Sequence, residues 1–440
     1  MNKNFYIETF GCQMNVSDSE LIRSSMTKNN FKEVGNPKDA YICIFNTCSI
    51  RDNAEKRALG RIKTVKGKGL KAAKFVVVAG CMAQRLGNEL IKRTGADIII
   101  GPYQLPNIGD MLSNSLNFKK DKLYISQERS DFADRLPYEF VETRGDDPWH
   151  KWVTITHGCE NFCAYCIVPI TRGRLISFDS KGIIRYIKGL TESGVIEITL
   201  LGQNVNQYGK DSGDIPFHKL LKKISSIEQL VKINFLTSHP MDFTEDIIHV
   251  INDSANISRS IHLPIQSGSD NILKAMNRKY TLSHYYSIVE KINNVIPDYA
   301  ISTDFIVGFP GETEDDFSMT LQAAKNIKFD EAFMFAFSPR AGTPAYLLED
   351  SVDENEKQSR LERLILEQRK ISLEKLKRRL NKQEMVIADK ISKKSNLEVA
   401  GRTFLNHPVV FKGDNNDIGK ESIIEIDGVR GSTLFGKKIS

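Results

Sequence analysis

The sequence has no apolar run that approaches the ~20 residues a membrane span needs. Its opening stretch, MNKNFYIETFGCQ, lacks the long apolar core of a signal peptide. Membrane insertion and secretion are therefore set aside, and the chain reads as cytoplasmic. A strong charge of either sign is missing too. The balance of 61 Lys and Arg against 55 Asp and Glu leaves +6, which permits a nucleic-acid partner without demanding one. Cysteine is scarce, 7 in all, and in a reducing compartment a few clustered thiols are read as metal ligands or catalysts before disulfides. Length is not lacking. At 440 residues the chain exceeds one ordinary domain, so two or three are expected, each with a buried core. A composition of 40% hydrophobic and 26% charged residues is that of an ordinary soluble protein.

The cysteines fall into two groups. Cys159, Cys163 and Cys166 lie together in GCENFCAYC. Cys12, Cys43, Cys48 and Cys81 are spread over the N-terminal region, which repeats one pattern. The apolar runs FYIETF, AYICIFN and KFVVVAG lead to Cys12, Cys48 and Cys81, each followed by a helical pattern, the first from about Ser17. A fourth run, ADIIIG, ends in PYQ without a cysteine. Short β-rich runs alternating with helices predict βαβ units around a parallel sheet. Ligands gather at the carboxyl ends of such strands, and neighbouring strands are only ~5 Å apart. Loops carrying Cys12, Cys48 and Cys81 can then converge as a three-thiolate site. The plain alternative is three unrelated thiols in loops. Cys43 sits inside its run and is assigned to the core, as a small buried hydrophobe.

The stretch between residues 119 and 145 is charged and without sustained periodicity, and reads as a connector. From about Trp152 strand and helix patterns alternate again. WVTIT, VIEITLLG, KINFLT, SIHLPI, AISTDFIVG and EAFMFAFS are the candidate strands. They predict a partial (β/α)6 barrel whose active face lies at the carboxyl-end mouth. HGCENFCAYC occupies the loop after the first of these strands. Other mouth loops supply Gly202, Gln203 and Asn204, then Gln266, Ser267 and Gly268, then Gly308 through Glu312. Each is a candidate to hold a ligand, since glycine lets a backbone approach closely, although GFPGE also reads as a turn before a helix. Tyr165 is placed either on a ligand ring or beneath the loop. His239, in TSHP, reads as a turn residue. Arg278 and Lys279 read as a solvated helix end, or alternatively as phosphate contacts.

Two metal readings fit the tight trio. Zinc bound by Cys159, Cys163, Cys166 and His157 is one, but structural zinc sites usually combine two separated ligand pairs, and no second pair follows. A four-iron cubane is the other, because iron–sulfur clusters take thiolates from short loops. Three cysteines would leave one iron open, the mark of a reacting centre.

The spacing Cys159-x3-Cys163-x2-Cys166 resembles the signature of the radical S-adenosylmethionine enzymes. Together with TFGCQMNVSDSE, NTCSIRDNAEKRA, AGCMAQ, GCENFCAYCIVPITRGR, LLGQNVNQYG, TSHP, HLPIQSGSDNILKAMNRKYT and DFIVGFPGET, it resembles the methylthiotransferases of that superfamily, most nearly their MiaB-type tRNA branch. The likeness spans nearly the whole chain. It implies a radical cluster on Cys159, Cys163 and Cys166, with S-adenosylmethionine chelating the open iron, and an auxiliary [4Fe-4S] cluster on Cys12, Cys48 and Cys81. Tyr165, Gly202, Gln203, Asn204, Gln266 and Gly308 would hold S-adenosylmethionine. No side chain is expected to be catalytic, since the cofactor radical does the chemistry. The implied reaction is methylthiolation at carbon 2 of N6-isopentenyladenosine beside the anticodon of tRNA, with an electron donor and a sulfur donor as further partners.

The C-terminal part changes character. A long charged amphipathic helical pattern ends in KLKRRLNK, the densest basic patch, read as a solvated face or an RNA contact. EMVIADK, LEVAGRT, PVVFKG, SIIEIDGVRG and STLFGKKI then predict a small antiparallel β-barrel. It resembles the RNA-binding TRAM module. The expected domains are 1–118, the connector 119–145, the radical SAM core 146–376 and the TRAM module 377–440. Two other functions are weighed against the first: methylthiolation of a ribosomal-protein aspartate, and a non-catalytic iron–sulfur or zinc protein that binds RNA.

Overall fold

The structure, a computed structural model, describes residues 3–49, 52–67, 75–115, 122–125 and 148–439. The N-terminal unit consists of β1 (Asn4–Thr9), α1 (Gln13–Lys28), β2 (Lys32–Glu33), β3 (Ile42–Thr47), α2 (Asp52–Gly67), β4 (Phe75–Gly80), α3 (Cys81–Leu86), α4 (Asn88–Thr94), β5 (Ile98–Ile100), α5 (Ile108–Ser115) and β6 (Lys122–Tyr124). The strands lie in the order β2-β1-β3-β4-β5-β6, and every pairing is parallel. All residues of β3 are buried. Its first four residues, Ile42 to Phe45, are apolar because helices cover both faces. Ile42 and Ile44 pack with Ile22 and Met26 of α1, while Cys43 and Phe45 pack with Ala58 and Ile62 of α2. Cys43 is thus a core residue. The chain steps from β1 outward to β2 and returns to β3, so a topological switch point lies between β1 and β3, where doubly wound sheets take ligands. Cys12 and Cys48 flank that crevice. Most of the connector lies outside the described residues, but Lys122–Tyr124 within it joins the sheet as its edge strand.

The second unit begins with β7 (His150–Thr154), β8 (Thr156–His157), α6 (Val168–Thr171) and β9 (Ile176–Ser177). It continues with α7 (Ser180–Glu192), β10 (Glu197–Leu201), α8 (Phe217–Ser225), β11 (Lys232–Phe235), α9 (Glu245–Asn252) and β12 (Ser260–His262). Then come α10 (Asp270–Ala275), α11 (Leu282–Val295), β13 (Ala300–Val307), α12 (Glu314–Ile327), β14 (Glu331–Ala336) and α13 (Glu354–Lys377). Two parallel ladders, β7-β10-β11 and β12-β13-β14, meet through a bridge between Ile233 and Ile257. The six strands form the expected partial barrel. The charged helical pattern near the C-terminus is α13, the helix of the sixth βα step. At 24 residues, or about 36 Å, it is the longest helix among the described residues and reaches past the strands. The outer edge of β7 is covered by α1: Ser17 Oγ lies 2.9 Å from Thr154 Oγ1, and Lys151 Nζ 3.5 Å from Glu20.

The third unit is a closed barrel of β15 (Gln383–Ile391), β16 (Glu398–Thr403), β17 (Pro408–Lys412), β18 (Glu421–Arg430) and β19 (Thr433–Lys438). All its pairings are antiparallel except β17–β19. It docks on the amino ends of the parallel strands. Lys232, first in β11, donates to Thr403 O at 3.1 Å, and Ser258, before β12, donates to Phe404 O at 2.7 Å. Arg379 pairs with Asp298, before β13, at 2.8 Å. The small barrel therefore sits at the end of the molecule opposite the cysteine loop. Within KLKRRLNK, Arg379 is buried between Asp298 and Glu384, and Lys375 pairs with Asp330 at 3.2 Å. Arg379 ties the small barrel to the second unit, whereas the Lys375–Asp330 pair lies within the second unit; Lys377, Arg378 and Lys382 remain exposed.

Candidate metal centres

Each N-terminal cysteine lies just beyond a strand end. Cys12 is the N-cap of α1, Cys48 follows β3, and Cys81 is the first residue of α3. Helix α1 starts at Gln13 rather than near Ser17, because Cys12 and Asn15 form a reciprocal cap. Two glycines make the loops fit. Gly11 has φ +134°, and a Cβ there would lie 2.3 Å from Cys48 Cβ; Gly80 has φ +92°, and a Cβ would lie 2.6 Å from Asn46 Oδ1. Two buried asparagines tie the loops across the switch point. Asn46 Nδ2 donates to Asn15 O at 2.8 Å, and Asn15 Nδ2 donates to Thr47 O at 3.3 Å. The motifs GCQMN and NTC thus lock onto each other. Arg85, four residues after Cys81, donates to Ser49 Oγ at 2.6 Å and to Glu55, joining the third loop to the second.

The second trio is held by one loop gripped from three sides. Gln203 Oε1 accepts from Gly158 N at 2.5 Å, and Gln207 accepts from Glu160 N at 3.3 Å. Asn277 Nδ2 donates to Phe162 O at 2.7 Å, and Ala164 N donates to Met276 O at 2.8 Å. Ala345 N donates to Ala164 O at 2.9 Å. Phe162, with φ +48°, turns the chain between the first two cysteines.

Two arginines complete the centres, and sequence reasoning missed both roles. Arg278 is not a solvated helix end. It is 7% exposed; Nη1 approaches Cys163 Sγ at 3.6 Å, and Nη2 donates to Pro264 O at 2.6 Å. Burial works against its charge, and the neighbouring Tyr280, Tyr165 and Cys163 outweigh that. Arg172, six residues after Cys166, crosses to the other trio. It forms a buried ion pair with Asp18 of α1 and acts on both Cys12 and Cys81. The short helix α6, Val168–Thr171, lies between Cys166 and Arg172 in the chain. Tyr103 fixes the crossing point, its hydroxyl donating to Arg172 O at 2.9 Å. Arg172 thus links the loop that carries the barrel trio to the N-terminal trio. Spacing gave no signal for Arg172; only the strand-end placement of both trios anticipated a meeting.

The thiols differ electrostatically. Cys12 is drawn down to about 6, first by its hydrogen bond with Cys48 and, against burial, by Arg172. Burial pushes Cys81 up, Cys159 up to about 12, and Cys166 further. Thiols raised in this way, as at Cys159 and Cys166, ionise when a cationic group joins them. The chemistry of each donor set, sulfur alone, fits an iron–sulfur group. Among the described residues no three Cys, His, Asp or Glu side chains converge on a single ion. His157, the fourth ligand of the zinc reading, packs its ring against Tyr103 at 5.0 Å.

The remaining sequence candidates sit around the mouth. Gln203 grips the cysteine loop. Asn204 Nδ2 donates to Asp242 at 2.7 Å, leaving its Oδ1 without a protein partner. A Cβ on Gly202 would lie 2.1 Å from Thr156 Oγ1. Gln266, at φ +70°, keeps a buried Oε1 unpartnered. With Thr156 Oγ1, Asn206 Nδ2 and Ser238 Oγ, these are buried polar atoms without protein partners, all just beyond the carboxyl ends of β7, β10, β11 and β12. Such a ring suits an extended polar ligand with amino, carboxylate and hydroxyl groups. Gly308 stands apart. A Cβ there would lie 2.3 Å from Lys357 Cγ, and its N–H donates to Glu312 at 2.6 Å, so the approach it permits is to α13. Gly268 likewise packs against Met319 O of α12. Tyr165 is half-buried against the cluster of Ala164, Met276 and Phe309, near Arg278.

Residues 4–101 match the model of the uncharacterized protein family UPF0004, and residues 153–324 match that of the radical SAM superfamily. The chain is 42% identical over 443 residues to the tRNA-2-methylthio-N(6)-dimethylallyladenosine synthase of Thermoanaerobacter pseudethanolicus, covering 100% of this chain and 93% of that protein. Proteins of the same name from Natranaerobius thermophilus and Clostridium botulinum are 39% and 41% identical over 440 residues, covering 99% of this chain and 96% and 97% of theirs. Among solved structures, the radical S-adenosylmethionine methyltransferase TsrM from Kitasatospora setae gives a TM-score of 0.58 at 10% identity, covering 87% of this chain and 78% of that one. That is a likeness of fold alone.

Proposed function

The chain belongs to the tRNA-2-methylthio-N(6)-dimethylallyladenosine synthases, and from that membership we propose how its two thiol trios serve the reaction. The protein is a radical SAM enzyme, a tRNA methylthiotransferase that makes 2-methylthio-N6-isopentenyladenosine. Cys159, Cys163 and Cys166 hold one [4Fe-4S] cluster and Cys12, Cys48 and Cys81 a second. What supports this is the sulfur-only donor set of each trio and their meeting through Arg172. When bound, the clusters and S-adenosylmethionine supply a radical strong enough for an aromatic C–H bond, together with sulfur and a methyl group. The chain's own residues bind and orient. Gly202, Asn204 and Gln266 line the polar ring for S-adenosylmethionine, with Tyr165 beside it. Gln203 fixes the cysteine loop, and Gly308 acts indirectly by seating α13. Arg278 keeps a positive charge against Cys163, and the Arg172–Asp18 pair fixes the units at the distance sulfur delivery needs.

Three domains follow, 1–118, 146–376 and 377–440, with 119–145 as the connector between the first two and the last an RNA-binding TRAM module. The exposed Lys377, Arg378 and Lys382 extend its reach. The enzyme works in the cytoplasm with an electron donor and a sulfur donor; no helix among the described residues is long and apolar enough to cross a membrane. The test is anaerobic reconstitution with iron and sulfide, then incubation with reductant, S-adenosylmethionine and isopentenylated tRNA, followed by nucleoside mass analysis. Methylthio product with two clusters' worth of iron is expected. Cofactor cleavage with unchanged tRNA would overturn the reading.

A further inference from the structure

Beside the cysteine loop lies a cleft of about 270 Å³, walled by Glu160, Asn161, Gln207, Lys210, His239, Met241, Asp242, Asn277 and Lys279. It is smaller than the ~300–1,000 Å³ of sites that enclose a whole small molecule, so it suits one group of a larger ligand. Its wall contains a donor with nothing to bind. His239 is 5% exposed and its Nδ1 accepts from Met241 N at 3.3 Å, which places the ring proton on Nε2. That Nε2 is buried and has no protein partner. Burial, with Arg278, Lys210 and Lys279 nearby, takes the imidazole down to about 2, so it stays a neutral donor.

The carboxylates of the cleft are engaged. Asp242 accepts from Asn204 at 2.7 Å and from Lys210 at 2.5 Å, and Glu160 lies 3.8 Å from Arg174. Lys279 is exposed, and no carboxylate among the described residues lies within ion-pair distance of it. A neutral N–H and an uncompensated ammonium at one small opening select a singly charged oxyanion. RNA presents that group once per nucleotide. The small β-barrel is docked at the opposite end, so the mouth needs its own hold on the nucleic acid.

We propose that this cleft seats one backbone phosphate of the tRNA beside the target adenosine, with Lys279 and His239 Nε2 as its donors; the proposal rests on the tRNA reading above. Lys279 lies at the surface, so its removal leaves the fold intact.

The test uses the full-length reconstituted enzyme and an anticodon-arm RNA bearing isopentenyladenosine. Its affinity is measured by fluorescence anisotropy between about 50 and 200 mM salt. Lys279→Ala should reduce the slope of log affinity against log salt by about 1 and weaken binding several-fold at the lower salt. Lys279→Arg should restore the slope, and Lys188→Ala on the outer face of α7 should leave it unchanged. Uncharged methylphosphonates are then placed singly around the adenosine. One position should weaken the wild type to the level of Lys279→Ala and weaken that variant no further. An unchanged slope in Lys279→Ala, or equal losses in both proteins at every methylphosphonate, overturns the proposal. Methylthio product from the wild type on the same RNA tests the tRNA reading separately.

Discussion

The two cysteine trios carry the same side chains in opposite settings. The barrel trio comes from a single loop, where desolvation holds Cys159 and Cys166 up and Arg278 is the cation beside Cys163. The N-terminal trio comes from three loops far apart in sequence, at the amino ends of α1 and α3 and against Arg172. Cys12 there reaches about 6, whereas Cys159 rises to about 12. The difference teaches that a local loop can bring ligands together cheaply, but long-range loops need a charged partner to fix where they meet. The Arg172–Asp18 pair serves as that partner, and it comes half from each unit.

The sharpest way to separate the trios is to remove one ligand from each. Cys163→Ala should abolish reductive cleavage of S-adenosylmethionine. Cys48→Ala should spare cleavage and abolish methylthio product. Release of 5′-deoxyadenosine and nucleoside mass would show both, and product from either variant contradicts the assignment.

Alkylation of the metal-free protein tests the electrostatic contrast directly. The thiolate is the nucleophile, and Cys12 is half-buried while its ionisation lies near 6. At pH 7 Cys12 should react orders of magnitude faster than Cys159, and its rate should fall as pH drops through about 6. Site-resolved mass spectrometry of iodoacetamide labelling reads this, and equal rates would remove the contrast.

A smaller effect addresses the strut between the units. Asp18→Asn leaves the Arg172 guanidinium buried without its carboxylate. Breaking such a pair costs about 3–5 kcal/mol, so the melting temperature should fall clearly. Arg172→Met combined with Asp18→Leu should recover much of the loss, because apolar replacements of similar volume often do. The double variant should still lose methylthio product if the pair sets the spacing of the trios.

Much of this molecule was legible beforehand. Apolar runs of 4–8 residues ending at Cys12, Cys48 and Cys81 marked parallel strands, because buried strands must be apolar on both faces. Cys43 inside its run was recognisable as core for the same reason. The six strands of the partial barrel and the five of the C-terminal barrel stand where the patterns put them. Edge strands β2 and β6 escaped notice, since 2 and 3 residues are too short for a period to register. Arg278 was misjudged because NRKY reads as solvated until Cys163, 115 positions away in the chain, is placed against it. KLKRRLNK was over-read as an open basic patch, as the partners of Lys375 and Arg379 lie in other elements.

Local pattern determined the elements and the grouping of the cysteines, because periodicity and short-range spacing are properties of neighbouring residues. Only the tertiary structure decided that Arg172 reaches from the barrel loop into the N-terminal trio, that a buried imidazole lines the cleft beside the cysteine loop, and that the small barrel docks at the amino ends of the strands. Burial, ion pairing and the direction of a free donor depend on what the rest of the chain brings alongside, and no single stretch of sequence contains that.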